Sequence, residues 1–140
     1  AGTATTAAEP FVGFNNEITL TPGVTDAEKA ETCSMPDATS KLTWLSIFSH
    51  KQSFHNVVKD GLTVIYNGTN FENPGATTWT TAPFFTPISG KLTYSCTYNN
   101  GSARTITTGP SRLLDENCIM LSYYFPAPKP RLCLNSTLGP

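Results

Sequence analysis

Two histidines are the side chains of this chain best suited to metal or acid–base chemistry. His50 and His55 are its two imidazoles, and imidazole is the commonest metal ligand in proteins. Residues five apart on a regular strand face opposite sides of the sheet, so only a turn at Lys51 and Gln52 would bring the two rings together. His50 and His55 are therefore candidate metal ligands, with Glu116 as a possible helper. An ordinary hydrogen bond at a strand end is the favoured interpretation.

The adjacent carboxylates Asp115 and Glu116 resemble a catalytic pair of the kind that glycosidases use. Adjacent side chains point apart on an extended chain, and acidic turns are common. The sequence therefore favours a turn over a glycosidase site.

Four cysteines, Cys33, Cys96, Cys118 and Cys133, define the redox chemistry of the chain. No two of them form a Cys-x-x-Cys motif, so disulfides are favoured over a zinc site, and four cysteines allow three pairings. If the strands that carry Cys96 and Cys118 lie side by side or across a sandwich, a bond between them would close a loop of about 20 residues and contribute roughly 3 kcal/mol. The cysteines predict an oxidising compartment.

Short strands must position these groups. Leu92, Tyr94 and Cys96 alternate with polar residues and predict a half-buried strand, and a second apolar run extends from Cys118 to Phe125. Further predicted strands are Phe11–Phe14, Glu17–Thr21, Lys41–Ser49, Gln52–Val58, Leu62–Tyr66, an edge or irregular strand in Thr77–Thr86, and Leu132–Leu134. The segment Val24–Thr32 is predicted to form a helical turn or a loop with one turn. The pattern predicts an antiparallel all-β sandwich.

Composition narrows the range of partners. The chain has 140 residues and 39% hydrophobic content, which suits one domain, and 14% of its residues are charged. The net charge of -1 and the lack of a Lys and Arg cluster in the sequence argue against nucleic acid. No apolar run reaches the roughly 18 residues that a transmembrane segment requires.

Residues 1–10 are small and polar and predict a flexible tail or tether before a single domain at 11–140. The start of the chain lacks Met and a signal-peptide core, as expected of a processed form or an excised domain.

Aromatic side chains offer a second kind of site. A carbohydrate platform would draw on Trp44, Trp79, Tyr94, Tyr98, Tyr123 and Tyr124. Aromatic residues at alternate strand positions more often pack in the core and across strands. Packing is therefore the favoured interpretation. Three glycosylation sequons, at Asn67, Asn100 and Asn135, are compatible with eukaryotic secretion but arise often by chance in a Thr-rich chain.

Several short features occur together: a strand ending in Ser49-His50, the spacing of Cys96 and Cys118, the turn Asp115-Glu116-Asn117-Cys118, the pair Tyr123-Tyr124, and a late Cys133. In this combination the chain resembles the second copper domain of the ascorbate-dependent copper monooxygenases, which include peptidylglycine alpha-hydroxylating monooxygenase and dopamine beta-monooxygenase. The similarity runs from about Glu17 to Leu134. The resemblance implies a disulfide-stabilised jelly-roll sandwich of eight to nine strands, and it implies the pairings Cys33 with Cys133 and Cys96 with Cys118.

The resemblance also implies where a copper ion would be held. In the family, a His-x-His pair on a strand and the Met of an Asp-Glu-Met-Cys turn are the ligands. The matching positions here are Phe48-Ser49-His50 and Asn117, so His50 alone keeps a ligand. Met120 has the wrong strand parity to replace the missing thioether, and we expect it in the core.

These observations predict a non-catalytic binding or structural module in which the copper site has degenerated. Its expected location is secreted, extracellular, periplasmic or at the cell surface, with an unidentified protein, glycan or envelope component as partner. No cofactor is expected. The alternative is a mononuclear copper-binding domain, or a copper-dependent oxidoreductase of the monooxygenase type, that uses His50 with ligands other than those of the family.

Overall fold

The computed structural model describes residues 8–140, and within that range the chain forms strands, turns and loops without a helix. The strands are β1 (Glu9–Asn15), β2 (Thr19–Leu20), β3 (Ala27–Ser34), β4 (Lys41–Ser49), β5 (Ser53–Asp60), β6 (Thr63–Gly68), β7 (Thr77–Thr78), β8 (Lys91–Tyr98), β9 (Ile106–Thr107), β10 (Cys118–Phe125), β11 (Arg131–Leu134) and β12 (Thr137–Leu138). The prediction of an all-β fold is confirmed.

The strands form two large sheets and one small one. The first has the order β12-β11-β1-β10-β4-β7, the second has the order β3-β8-β5-β6, and β2 pairs with β9. Paired strands are antiparallel except for β1 and β11. The buried core draws on both large sheets, so the arrangement is sandwich-like. The jelly-roll topology stays a prediction.

Alternation along β8 and β10 decides what is buried. The side chains of Leu92, Tyr94, Cys96 and Tyr98 on β8, and of Cys118, Met120, Ser122 and Tyr124 on β10, are buried. A period of two places alternate residues on one face of a strand, so both strands turn these sets toward the core. The prediction that Leu92, Tyr94 and Cys96 share the buried face of a strand is confirmed for β8. The predicted core position of Met120 is confirmed as well.

Two disulfides join the large sheets. Cys33 on β3 bonds Cys133 on β11, and Cys96 on β8 bonds Cys118 on β10. These are the pairings that the resemblance implied. All four cysteines are buried. Two disulfides fit an oxidising compartment. Secretion and a cell-surface location stay predictions.

The predicted helical turn at Val24–Thr32 is wrong, because most of that segment belongs to β3. This strand pairs with β8 from Ala27 opposite Tyr98 to Ser34 opposite Lys91. Its exposure alternates residue by residue up to the buried Cys33. Hydrogen bonds to a neighbouring strand override a composition that suits a helix, because intrinsic propensity is a weak signal over a short segment.

The structure describes only the last part of the predicted N-terminal tail. Most of the proposed tail, residues 1–7, lies outside the described residues, whereas Glu9 and Pro10 are the first residues of β1. The segment Thr77–Thr86 holds β7 at the edge of its sheet, which confirms the prediction of an edge or irregular strand. None of the described residues forms a helix of the length and hydropathy needed to cross a bilayer.

Candidate functional site around His50

Pairing between β4 and β10 creates the site. Ser49, the last residue of β4, lies opposite Cys118, the first residue of β10. His50 directly follows β4, and Asn117 directly precedes β10. Antiparallel pairing therefore brings the two side chains to the same end of the sheet. The resemblance implies that both occupy positions of family metal ligands, and the structure brings the two side chains into contact.

Both ring nitrogens of His50 are hydrogen-bonded. Nδ1 lies 3.0 Å from the main-chain oxygen of Asp115, and Nε2 lies 3.0 Å from Nδ2 of Asn117. A carbonyl oxygen only accepts, so Nδ1 carries the proton and Nε2 of the neutral ring accepts from the Asn117 amide. These partners assign the tautomer. His50 is 6% exposed, so little water reaches the ring.

Asn117 brings an unsatisfied acceptor to the site. Its amide nitrogen donates to His50, but its buried Oδ1 has no hydrogen-bond partner among the described residues. The main-chain oxygen of Asn117 accepts a hydrogen bond of 2.6 Å from the hydroxyl of Tyr98, which fixes the backbone. Because a buried acceptor without a partner is costly, Oδ1 is a place where a ligand that donates a hydrogen bond would be stabilised.

Glu116 organises the backbone beneath this pair. Its side chain is fully buried and accepts hydrogen bonds from the main-chain nitrogens of His50 at 2.9 Å, Gln52 at 2.7 Å and Asn117 at 3.3 Å. Loss of hydration on burial raises the pKa of Glu116 to about 7, although the three N–H donors act in the opposite direction. Glu116 thus contacts the backbone of His50 and not its ring.

The neighbouring carboxylate, that of Asp115, is hydrogen-bonded to a different segment of the chain. Oδ2 of Asp115 accepts from the main-chain nitrogen of Ser111 at 3.1 Å, whereas the carboxylate of Glu116 faces inward. The two carboxylates therefore have separate partners. The turn in this region lies at residues 112–114, and Asp115 and Glu116 follow it.

A cleft of about 270 Å³ opens beside His50 and Asn117. Phe48, which is 38% exposed, Phe71 and Pro74 supply apolar walls, while Glu72 and Arg112 supply charge. A second cleft shares Phe71, Glu72 and Arg112. These loop residues were missed by sequence reasoning, because no strand period or motif marks them.

The donor set does not fit the copper that the resemblance implies. Phe48 offers no donor atom, Asn117 offers an amide in place of a thioether, and only the imidazole of His50 remains. Copper sites rely on imidazole and soft sulfur ligands. Among residues 8–140 there is no group of three His, Cys, Asp or Glu side chains placed to hold a metal ion.

His55 takes part in a separate contact. Its Nε2 lies 2.9 Å from Oδ1 of Asn67, across the pair of strands β5 and β6. Both nitrogens of His50 have other partners. The two imidazoles thus share no common partner, and a metal role for His50 and His55 stays a prediction.

The aromatic side chains divide between core and surface. Tyr94, Tyr98 and Tyr124 are buried, and Trp79 stacks on Phe85. Trp44 and Tyr123 meet edge to face on adjacent strands, with their ring centroids 5.9 Å apart. The buried tyrosines cannot form the carbohydrate platform considered above, which agrees with packing as the favoured interpretation.

No protein-family model matches the chain, and no curated protein matches it.

Proposed function

We propose that this chain is a non-catalytic binding or structural module on a scaffold of the copper-monooxygenase second-domain type. The proposal rests on one observation: the amide of Asn117 donates to Nε2 of His50, the nitrogen that would have to face a metal ion. The two disulfide pairings and the all-β fold support the choice of scaffold.

The hydrogen bond explains why the site is expected to bind no copper. A metal at Nε2 must displace the Asn117 N–H and then find further ligands. The nearby side chains offer a phenyl ring at Phe48 and a single amide oxygen at Asn117. One imidazole with one amide leaves a Cu(I) or Cu(II) ion short of ligands. The pair is therefore better described as a hydrogen-bonded element of the cleft wall.

The cleft is the proposed binding surface. Apolar walls at Phe48, Phe71 and Pro74 would contact a hydrophobic part of a ligand, and the unpartnered Oδ1 of Asn117 would accept a hydrogen bond from it. Pockets of this mixed character bind through apolar contact and use a few polar atoms for orientation. The expected ligand is a group from a protein, a glycan or an envelope component that carries an N–H or O–H donor.

A second function is a mononuclear copper site that uses His50 with ligands other than those of the family. It is favoured by the bond between His50 Nδ1 and the Asp115 carbonyl, because metal-ligating histidines commonly donate their other nitrogen to a backbone carbonyl. If Asn117 turned its amide, Oδ1 could become a second ligand. Two ligands are fewer than structural and catalytic sites use.

Copper titration separates the two functions. The disulfide-intact protein is titrated with Cu(II), and with Cu(I) under ascorbate, using calorimetry and Cu(II) spin resonance. We expect wild type to bind no more tightly than His50→Ala, with His55→Ala as the control for the other imidazole. Tight stoichiometric binding that His50→Ala alone abolishes, or ascorbate-dependent oxidation of a substrate, would refute the non-catalytic proposal.

A gain-of-function variant tests the scaffold. Phe48→His with Asn117→Met would present imidazoles at position 48 of β4 and at His50 just after it, and a thioether just before β10, the arrangement that the resemblance implies. We expect this double variant to bind copper, whereas Phe54→His with Asn99→Met, which alters residues outside this contact, should not. Equal binding by both double variants would count against the scaffold.

A further inference from the structure

Two aliphatic side chains project from the molecule almost without contacts. Leu62 is 97% exposed and Ile88 is 94% exposed, whereas the other exposed large hydrophobic residues in the described part of the chain range from 38% to 64%. Leu62 lies in the turn between β5 and β6, and Ile88 lies in the turn that precedes β8. Neither side chain contributes to the core. One exposed aliphatic side chain is ordinary on a protein surface, but these two lie on adjacent turns.

The two turns are held together by Asp60. Its carboxylate accepts hydrogen bonds from the main-chain nitrogen of Ile88 at 2.9 Å, from that of Ser89 at 3.0 Å and from the Ser89 hydroxyl at 2.5 Å. A Cβ atom at Gly61 would lie 3.7 Å from Cβ of Ser89. Leu62 and Ile88 therefore project from two turns that lie against each other.

Lysines surround this surface. Lys59 and Lys91 are exposed, and each is three residues from one of the two aliphatic side chains. Nζ of Lys41 lies 3.3 Å from the hydroxyl of Thr86, two residues before Ile88. The neighbouring loop, whose Met35 bonds Gly90, contributes the exposed carboxylate of Asp37. Together with the Asp60 carboxylate between the turns, Asp37 sets two carboxylates against three ammonium groups, which leaves a small net positive charge around the two turns.

We propose that the Leu62 and Ile88 turns form a peripheral membrane-binding surface for bilayers with anionic headgroups. Projecting aliphatic side chains can enter the boundary between headgroups and acyl chains, while lysines remain at the level of the anionic headgroups. A protein partner would require a broad contact of roughly 800 Å² per side. Asp60, Gly61, Thr63, Ser89 and Gly90 around the two tips are polar or small, and only Val64, which is 50% exposed, adds apolar surface next to Leu62, so the apolar part is small.

Vesicle sedimentation tests the proposal on the full chain. The probes are vesicles of phosphatidylcholine alone and vesicles that also contain phosphatidylserine. We expect binding to the anionic vesicles, with Leu62→Ser and Ile88→Ser each weakening the partition coefficient about tenfold. Leu113→Ser is the matched control. Leu113 is 64% exposed and lies away from the two turns, at the second cleft near His50. Both targets are exposed, so the variants should fold as wild type does.

The lysines provide a second, independent test. Lys59→Gln and Lys91→Gln should each weaken binding to anionic vesicles about fivefold and leave binding to neutral vesicles unchanged. Lys51→Gln, at an exposed turn beside the His50 cleft, is the control.

Three results would overturn the proposal. They are absence of vesicle binding by wild type, an equal loss in Leu113→Ser, and binding to neutral vesicles that is as strong as to anionic ones. Self-association that Leu62→Ser abolishes, without vesicle binding, would overturn it and assign the surface to a protein contact.

Discussion

Removal of the buried charge at Glu116 should change how the stability of the domain depends on pH. Glu116→Gln keeps the size of the side chain and one carbonyl acceptor but removes the titration. In wild type the side chain is fully buried and accepts three main-chain hydrogen bonds. The variant therefore isolates the cost of burying a carboxylate in this position.

The magnitude follows from the pKa. Burial raises the pKa of Glu116 from 4.5 to about 7. Between these values the folded state holds a proton that the unfolded state has released, so wild-type stability falls as pH rises. The full difference corresponds to about 3 kcal/mol. This contribution is present below about pH 4.5 and is lost by about pH 7, and it is absent from Glu116→Gln.

Urea unfolding at a series of pH values measures the effect. Tryptophan fluorescence would follow unfolding of the disulfide-intact protein from pH 4.5 to pH 8. We expect the free energy of unfolding of wild type, minus that of Glu116→Gln, to fall by about 3 kcal/mol across this range. Asp115→Asn is the matched control, because it changes the neighbouring carboxylate and keeps Glu116 with its three main-chain donors.

The opposite slope would refute the reasoning. If the difference rose with pH, the three N–H donors would outweigh the loss of hydration, and the pKa of Glu116 in the folded state would lie below 4.5. A difference that does not vary with pH would mean that Glu116 titrates alike in both states.

Three further predictions concern stability, and urea unfolding at pH 7 measures each. Asn100→Ala removes a buried amide whose Nδ2 shares its two hydrogens among three backbone carbonyl oxygens, at an expected cost of about 3 kcal/mol. Gly13→Ala should cost about 1–3 kcal/mol, because its Cβ would lie 2.8 Å from the ring of the buried Tyr94. Replacing Cys33 and Cys133 by Ser should cost about 4–5 kcal/mol, since their bond closes a loop of about 100 residues.

Each of these variants has a counterpart elsewhere in the chain. Asn99→Ala removes one exposed acceptor bond, and Gly101→Ala meets nothing within 4 Å, so both should cost under about 1 kcal/mol. Loss of the Cys96–Cys118 bond, whose sequence separation is 22, should cost about 3 kcal/mol. If Asn99→Ala cost as much as Asn100→Ala, and Gly101→Ala as much as Gly13→Ala, the contacts named here would not govern stability.

The strands of the core could be predicted because their residues alternate. The run from Cys118 to Phe125 coincides with β10, and Lys41–Ser49 coincides with β4. Burial of every second side chain produces this pattern, so the sequence contains it directly. Ala27–Ser34 lacks such an apolar pattern because it is an edge strand with one sheet neighbour, and its strand conformation depends on hydrogen bonds to β8.

The candidate site could be predicted only in part. The positions of His50 and Asn117 followed from the resemblance, but their hydrogen bond depends on the register of β4 against β10. The role of Asn100 could not be predicted either: the sequence presents it as a sequon, whereas the fold buries its amide against three carbonyls. Contacts of this kind join residues far apart in the chain, which no local pattern records.

The sequence by itself determined the class of the fold. Apolar side chains that alternate with a period of two indicate strands, and four cysteines without a Cys-x-x-Cys motif favour disulfides over a metal site. Tertiary structure alone decided what lies side by side. Folding brings Arg112 and Phe71 to the His50 cleft and joins the turns that carry Leu62 and Ile88 through the Asp60 carboxylate. The reason is physical: a period of two fixes which face of a strand is buried, while strand order and register fix which distant loops meet.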